Sequence, residues 1–218
     1  MSISVDKYCF LYNNVDVDIH TEIAKALPYK METITAGFMY LGYFLKPLGY
    51  RVCDWHWLTQ KFEHRISHWA HKLLSLGGRL TLVQAVLTSI PVYWMGLAPI
   101  PVSVLSKLRI LAFSFLWGSS NNKHRYHLTN WEHLSWPKEY GGWGIKHLNW
   151  FSIALRLKNL WLVLQNDGLW HRVIISKYMK MCSVESWLRG KTFLFRGVSA
   201  IWKGFLLTLL WLGRHLDW

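Results

Sequence analysis

His64, His68 and His71 are the residues whose spacing most suggests chemistry, because steps of four and three bring three imidazoles to one face of an α-helix. Imidazole is a common zinc ligand, but no carboxylate or thiolate accompanies these three on that face, so a solvated or phosphate-facing histidine row is the better reading. Asp16 and Asp18 flank Val17 as a D-x-D, which on a strand would hold a cation between two carboxylates; the neighbouring Asn13-Asn14 makes a polar turn the default. Gly141-Gly142-Trp143-Gly144 has no Lys-Ser/Thr behind it and reads as a tight turn rather than a phosphate loop. GxSxG and GxGxxG do not occur, and nothing assembles an active site or a cofactor site. Cys9, Cys53 and Cys182 are isolated thiols without CxxC spacing, which indicates neither a zinc knuckle nor a disulfide framework and predicts a reducing, intracellular setting, nuclear or cytoplasmic. The opening MSISVDKYCF lacks a charged segment ahead of an apolar one, so secretion is not expected.

The element that would carry the histidines is predicted between Asp54 and Leu76. Asp54 is a plausible N-cap, and Trp55, Leu58, Phe62, Ile66, Trp69, Leu73 and Leu76 recur at steps of three and four, drawing one apolar stripe. His64, His68 and His71 project to the far side, with Lys61, Arg65 and Lys72 along the flanks. Gly77-Gly78 is expected to stop the helix, and Arg79 to open a second apolar segment running to Pro91. That gives a helical hairpin, apolar inside and cationic outside.

The charge of the chain is unevenly placed. Residues 1–63 hold seven of the 12 acids and six of the 25 Lys and Arg, so the excess behind the net +13 lies in the remainder. Between His64 and Trp131 there is no acid, against seven Lys/Arg and five His. Such a one-sided field suits a polyanion, either nucleic acid or an acidic membrane surface, or it is simply a basic solvated surface. The uncharged run Leu80–Ser106 is long enough to span a bilayer, yet Pro91, Pro99 and Pro101 divide it, which predicts a buried helix followed by an extended link.

Around the hairpin, residues 1–20 read as strand material (MSISV, CFLY) before the Asn13-Asn14 turn, Ile19–Leu27 as a short helix, and Thr33–Phe44 as β structure with Gly37 and Gly42 at turns. Leu105, Leu108, Ala112 and Phe115 predict a helix ended by Gly118. Tyr126–Trp131 is expected to pair with the strand or turn around GGWGIKHL. Asn149 is read as the cap of a helix with Ile153, Leu157, Trp161 and Leu164 inward, followed by a helix over Leu169–Met179 with Trp170, Val173, Ile174 and Tyr178 inward. VESWLRGKTFLF reads as a loop, and Val198–Leu210 as a last helix. Of the 15 Trp, Trp55, Trp69 and Trp161 are expected in the core, whereas Trp57, Trp131, Trp136 and Trp143 either pack under loops or stack on bases. The fold class is therefore mainly α, with a small α+β part at the N-terminus.

YLGYFLKPLGYRV, then the Trp/His helix and LLSLGGRLTLVQAVLTSIPVYWM, FSFLWG, the Trp131–Ile145 segment WEHLSWPKEYGGWGI, ALRLKNLWLVL and LWHRVIISKY resemble, in order, the reverse transcriptases of plant LINE-type (non-LTR) retrotransposons. The resemblance covers nearly the whole chain. It implies a palm remnant and primer-grip region over 1–50, a thumb-like helical domain over 51–120 and a helical post-thumb region over 121–218. Lys7 would match the lysine at the end of the palm, where Tyr8 departs from the family's Ser or Thr, and Tyr40-Leu41-Gly42 the turn that helps hold the primer end. Lys61, His64, Arg65, His68, Lys72 and Arg79 would lie along an RNA or DNA template–primer duplex. The F/Y-x-D-D aspartates that hold two Mg²⁺ in the parent enzymes have no counterpart here, which implies a truncated chain that binds nucleic acid without extending it, and no cofactor of its own. A basic amphipathic scaffold for an acidic membrane or partner protein, and a non-functional retroelement relic, remain as other readings.

Overall fold

The computed structural model describes residues 9–27, 29–40, 43–47, 49–70, 74–118, 129–165, 168–179, 184–189 and 197–215. The chain forms two compact units, Met1–Tyr50 and Arg51–Trp218.

In the first unit, β1 (Cys9–Tyr12) pairs in parallel with β2 (Lys30–Thr33), Cys9 opposite Lys30 and Tyr12 opposite Thr33. Parallel neighbours cannot be joined by a tight turn, and α1 (Val17–Ala26) supplies the crossover. Asp16 and Asp18 therefore open a helix and do not sit on a strand. Asp18 lies in the first turn, where a carboxylate is favoured by the helix dipole. β3 (Phe38–Tyr40) and β4 (Tyr43–Leu45) form an antiparallel hairpin with Phe38 opposite Leu45. Gly37 has φ +91°, and a Cβ on it would lie 2.5 Å from the Phe44 ring, so the approach to this hairpin requires glycine. The expected strand MSISV and the turn residues Leu41 and Gly42 lie outside the described residues.

In the second unit, a 3-10 turn at Val52–Trp55 runs into α2 (His56–Ala70). It is followed by α3 (Leu76–Ala85), a 3-10 turn at Leu87–Ser89, α4 (Val92–Leu97) and α5 (Val102–Trp117). After these come α6 (Trp131–Ser135), α7 (Leu148–Gln165), α8 (Leu169–Tyr178), α9 (Val184–Arg189) and α10 (Ala200–His215). α5 packs against α2, α3 and α7, and α7 in turn packs against α4, α8 and α10, so the helices on either side of residue 120 pack into one compact unit. Trp55, Leu58, Phe62, Leu87, Leu108 and Leu116 fill one end of it; Leu160, Ile174, Met179, Trp202, Phe205 and Leu206 fill the other. The molecule is thus mainly helical with a small α+β part at its N-terminus. Among the described residues no helix is long and apolar enough to cross a membrane.

Several elements differ from the sequence expectation for identifiable reasons. Asp54 does not cap α2: its carboxylate accepts from the Arg51 N–H at 2.7 Å within the preceding 3-10 turn. Gly77-Gly78 does not terminate a helix, because Ser75 is the N-cap of α3 and its Oγ accepts from the Gly78 N–H at 3.2 Å; both glycines lie in the first turn and Leu76 is exposed. Beyond Pro91 the backbone turns helical again as α4 before the extended Ala98–Pro101 link.

Trp131 does not pair as a strand. Asn130 caps α6 by accepting from the His133 N–H at 2.8 Å, and the GGWGI segment folds back irregularly, Trp143 and Ile145 both donating to the Leu134 carbonyl. Tyr126–Leu128, the other half of that expectation, lies outside the described residues. α7 begins one residue ahead of Asn149, and its first turn is held by the His147 Nδ1, which accepts from the Trp150 N–H at 3.5 Å. Its inward row is Leu148, Ser152, Arg156 and Leu160, which leaves Trp161 60% exposed. Trp170 and Val173 of α8 are likewise exposed while Ile174 is buried, and α9 makes a helix of part of VESWLRGKTFLF.

Candidate nucleic-acid interface

α2 is anchored from within. Trp55, Leu58, Phe62 and Trp69 are buried, Trp55 meets Trp94 edge to face with ring centroids 5.6 Å apart, and Trp69 lies against Phe115 of α5. With that stripe fixed, the helical period sends Lys61, His64, Arg65 and His68 to the other side, and all four are exposed. At positions i, i+3, i+4 and i+7 they form a row along about two turns of a rigid helix. Glu63, on the other flank of α2, pairs with Lys107 of α5 at 3.6 Å. Such a row can neutralise phosphates but offers no nucleophile and no paired carboxylates. Among the described residues no group of three or more His, Cys, Asp or Glu gathers as a metal site, and His71 lies outside them.

The other expected site residues are not brought to this row. Arg79 is half-buried and its guanidinium lies against Gly118, the left-handed residue that ends α5, where a cation meets the negative end of the helix dipole. Tyr40 is 57% exposed on β3 in the first unit. Lys7, Leu41, Gly42 and Lys72 lie outside the described residues. Of the tryptophans left between packing and stacking, Trp131 is buried, Trp57 and Trp143 are half-buried against Trp94 and Trp117, and Trp136 is half exposed beside His133.

Two charged groups escaped the sequence reading. Arg156 is buried in α7, where its Nε–H donates to the Thr208 hydroxyl at 3.0 Å and its Nη1 donates to the Ser152 hydroxyl at 2.6 Å. Burial lowers its pKa from the ordinary arginine value. The available signal was the i, i+4 placement of Ser152 and Arg156 in line with Leu148 and Leu160, hidden because a charged residue interrupts the apolar pattern. His147 caps α7, and its pKa is held below the free-histidine value first by burial and then by the Arg109 charge, with Glu132 opposing.

No family model matches the chain. It is 39% identical over 122 residues to an Arabidopsis thaliana protein provisionally named ribonuclease H protein At1g65750; the match takes in 56% of this chain and spans 20% of that protein's length. It is also 30% identical over 143 residues to an uncharacterized mitochondrial protein of Arabidopsis thaliana, AtMg00310, covering 59% of this chain and 93% of that one. At a general level these relatives point toward a retroelement-related protein, and the mainly helical fold is that of the structure itself. It belongs to the family of the mitochondrial protein.

Proposed function

We propose that this protein binds the sugar–phosphate backbone of a nucleic-acid duplex, an RNA–DNA template–primer in keeping with its resemblance to LINE-type reverse transcriptases, and that α2 is the contact helix. The observation that carries this reading is the exposed row Lys61, His64, Arg65 and His68 on a helix whose opposite face is locked into the core. A row of this kind meets phosphates without reading bases, giving affinity without sequence preference. The absence of acids between His64 and Trp131 in the sequence extends the same field beyond the helix. In this reading the helices from α2 to α5 act as a thumb, Lys7 and Tyr40-Leu41-Gly42 serve the primer end, and Lys72 and Arg79 extend the basic surface. The contribution proposed for these residues is binding.

The test is the affinity of the purified chain for a labelled RNA–DNA hybrid, followed by fluorescence anisotropy over a range of salt. Two phosphates neutralised by Lys61 and Arg65 give a slope of log K against log salt of about −1.8, and the double reversal Lys61→Glu/Arg65→Glu should abolish that contribution. An affinity that ignores salt, or that survives the double reversal unchanged, overturns the assignment to α2.

A further inference from the structure

A second surface, away from the α2 row in sequence and of different chemistry, lies on α7 and α8. A cavity of about 260 Å³ opens there, lined by Leu97 of α4, Leu162 and Val163 of α7, Trp170 and Ile174 of α8 and Phe205 of α10. Its polar element is Asn159, whose amide N–H donates to the Gly96 carbonyl at 3.0 Å. An apolar hole of roughly 150 Å³ already accepts a benzene ring, so this one accommodates an indole or a leucine side chain. Its mouth is apolar as well. Leu162 and Trp170 are wall residues yet 49% and 54% exposed, and beside Trp170 on α8 Leu169 and Val173 are exposed as well. A folded chain gains nothing from leaving an indole and three aliphatic side chains in water around an open apolar hole, and such a patch marks a contact surface.

The charges around the patch select the occupant. Lys158 and Lys177 are exposed on the same two helices, and α7, α8 and α10 contain no Asp or Glu. A second copy of a chain with net charge +13 would bring cations against cations, which disfavours self-association. A phosphate backbone would meet the lysines but leave the apolar hole empty. A flat lipid surface would cover the indole but has no single group shaped for the hole. We propose that this face docks an acidic amphipathic helix of a partner protein, which inserts one bulky apolar side chain into the cavity between α7 and α8 and sets its carboxylates against Lys158 and Lys177. Helices that lie in grooves use anchors at i, i+3, i+4 and i+7 in this manner.

The test uses the whole chain and a labelled peptide of about 16 residues, four helical turns, with Trp and Leu anchors at that spacing and Glu elsewhere. Saturable binding is expected, weakened about tenfold or more by Val163→Phe, which fills the hole from within, and similarly by Lys158→Glu/Lys177→Glu beside it. Trp170→Ala, at an exposed site, should weaken it as well and serves if Val163→Phe fails to fold. No binding of the peptide overturns the proposal. Equal binding of a version with Lys in place of Glu, or indifference to both Val163→Phe and Trp170→Ala, overturns it too. So does flotation with phosphatidylserine-containing vesicles that removes the peptide and is itself insensitive to those two variants. All these substitutions leave Lys61 and Arg65 in place, so the outcome is independent of the nucleic-acid reading.

Discussion

Arg156 is solvated by hydroxyls instead of balanced by a carboxylate: among the described residues its partners are Ser152 and Thr208, and its Cδ lies against Gly204. A buried cation that pays for its own desolvation with two neutral hydrogen bonds is a poor stabiliser. Arg156→Met keeps the stem and removes the charge, and it should leave the free energy of urea unfolding within about 1 kcal/mol of the parent or raise it. Thr208→Val and Ser152→Ala strip an acceptor from a buried guanidinium and should each cost about 1–3 kcal/mol. A severe loss in Arg156→Met would mean that the cation has an anionic partner.

His147 provides a titration at the same scale. Its folded pKa is depressed, so between that value and about 6.5 the unfolded chain takes up a proton that the folded chain refuses. Stability at this site is complete above about pH 6.5 and falls as the pH drops through that window. Protonation would also remove the Nδ1 lone pair that accepts from the Trp150 N–H and place a cation at the positive end of α7. The urea midpoint should therefore fall from pH 7 to pH 5.5, and His147→Asn, which can still cap but does not titrate there, should make that fall shallower.

At the scale of the elements, the sequence reads well wherever apolar periodicity is uninterrupted. The stripe Leu105, Leu108, Ala112 and Phe115 and the stop at Gly118 are α5 as found, and Trp55, Leu58, Phe62 and Trp69 orient α2 as their spacing predicts. It reads poorly where a polar side chain occupies an inward position or a cap competes. Arg156 shifted the reading of α7 by one residue and so placed Trp161 inside, and Ser75 captured the first turn of α3, turning an apparent terminator into a start. The basic row was legible because α2 has a continuous apolar stripe opposite it. The α7–α8 cavity was not, since it is made by four helices far apart in sequence.

Arg79 illustrates the limit of reading function from charge alone, because it closes the end of α5 over Gly118. Gly118→Ala should cost about 1–2 kcal/mol for the left-handed backbone and more for displacing the guanidinium. Arg79→Ala should absorb part of that second cost, so the double variant should be less destabilised than the two single losses added together. Strict additivity would show that the two residues do not communicate.

At the scale of the whole molecule, the two units differ in what holds them together. Every buried apolar residue among the described ones lies at or after Trp55, and none of the described residues of Met1–Tyr50 is buried. A two-stranded parallel pair and a two-stranded hairpin expose most of their surface, and about 50 residues is near the lower limit for independent folding. The unit Arg51–Trp218, by contrast, buries apolar side chains from Trp55 to Leu206, with Leu160, Ile174, Met179, Trp202, Phe205 and Leu206 in a core cluster of their own. A fragment of residues 51–218 should keep its helical circular dichroism and unfold cooperatively in urea at the midpoint of the full chain. A fragment of residues 1–50 should give the spectrum of a disordered peptide. Loss of helicity in the 51–218 fragment would mean that its core depends on the N-terminal unit, and the rigid seating of α2, on which the basic row relies, would then have to be sought in both units together.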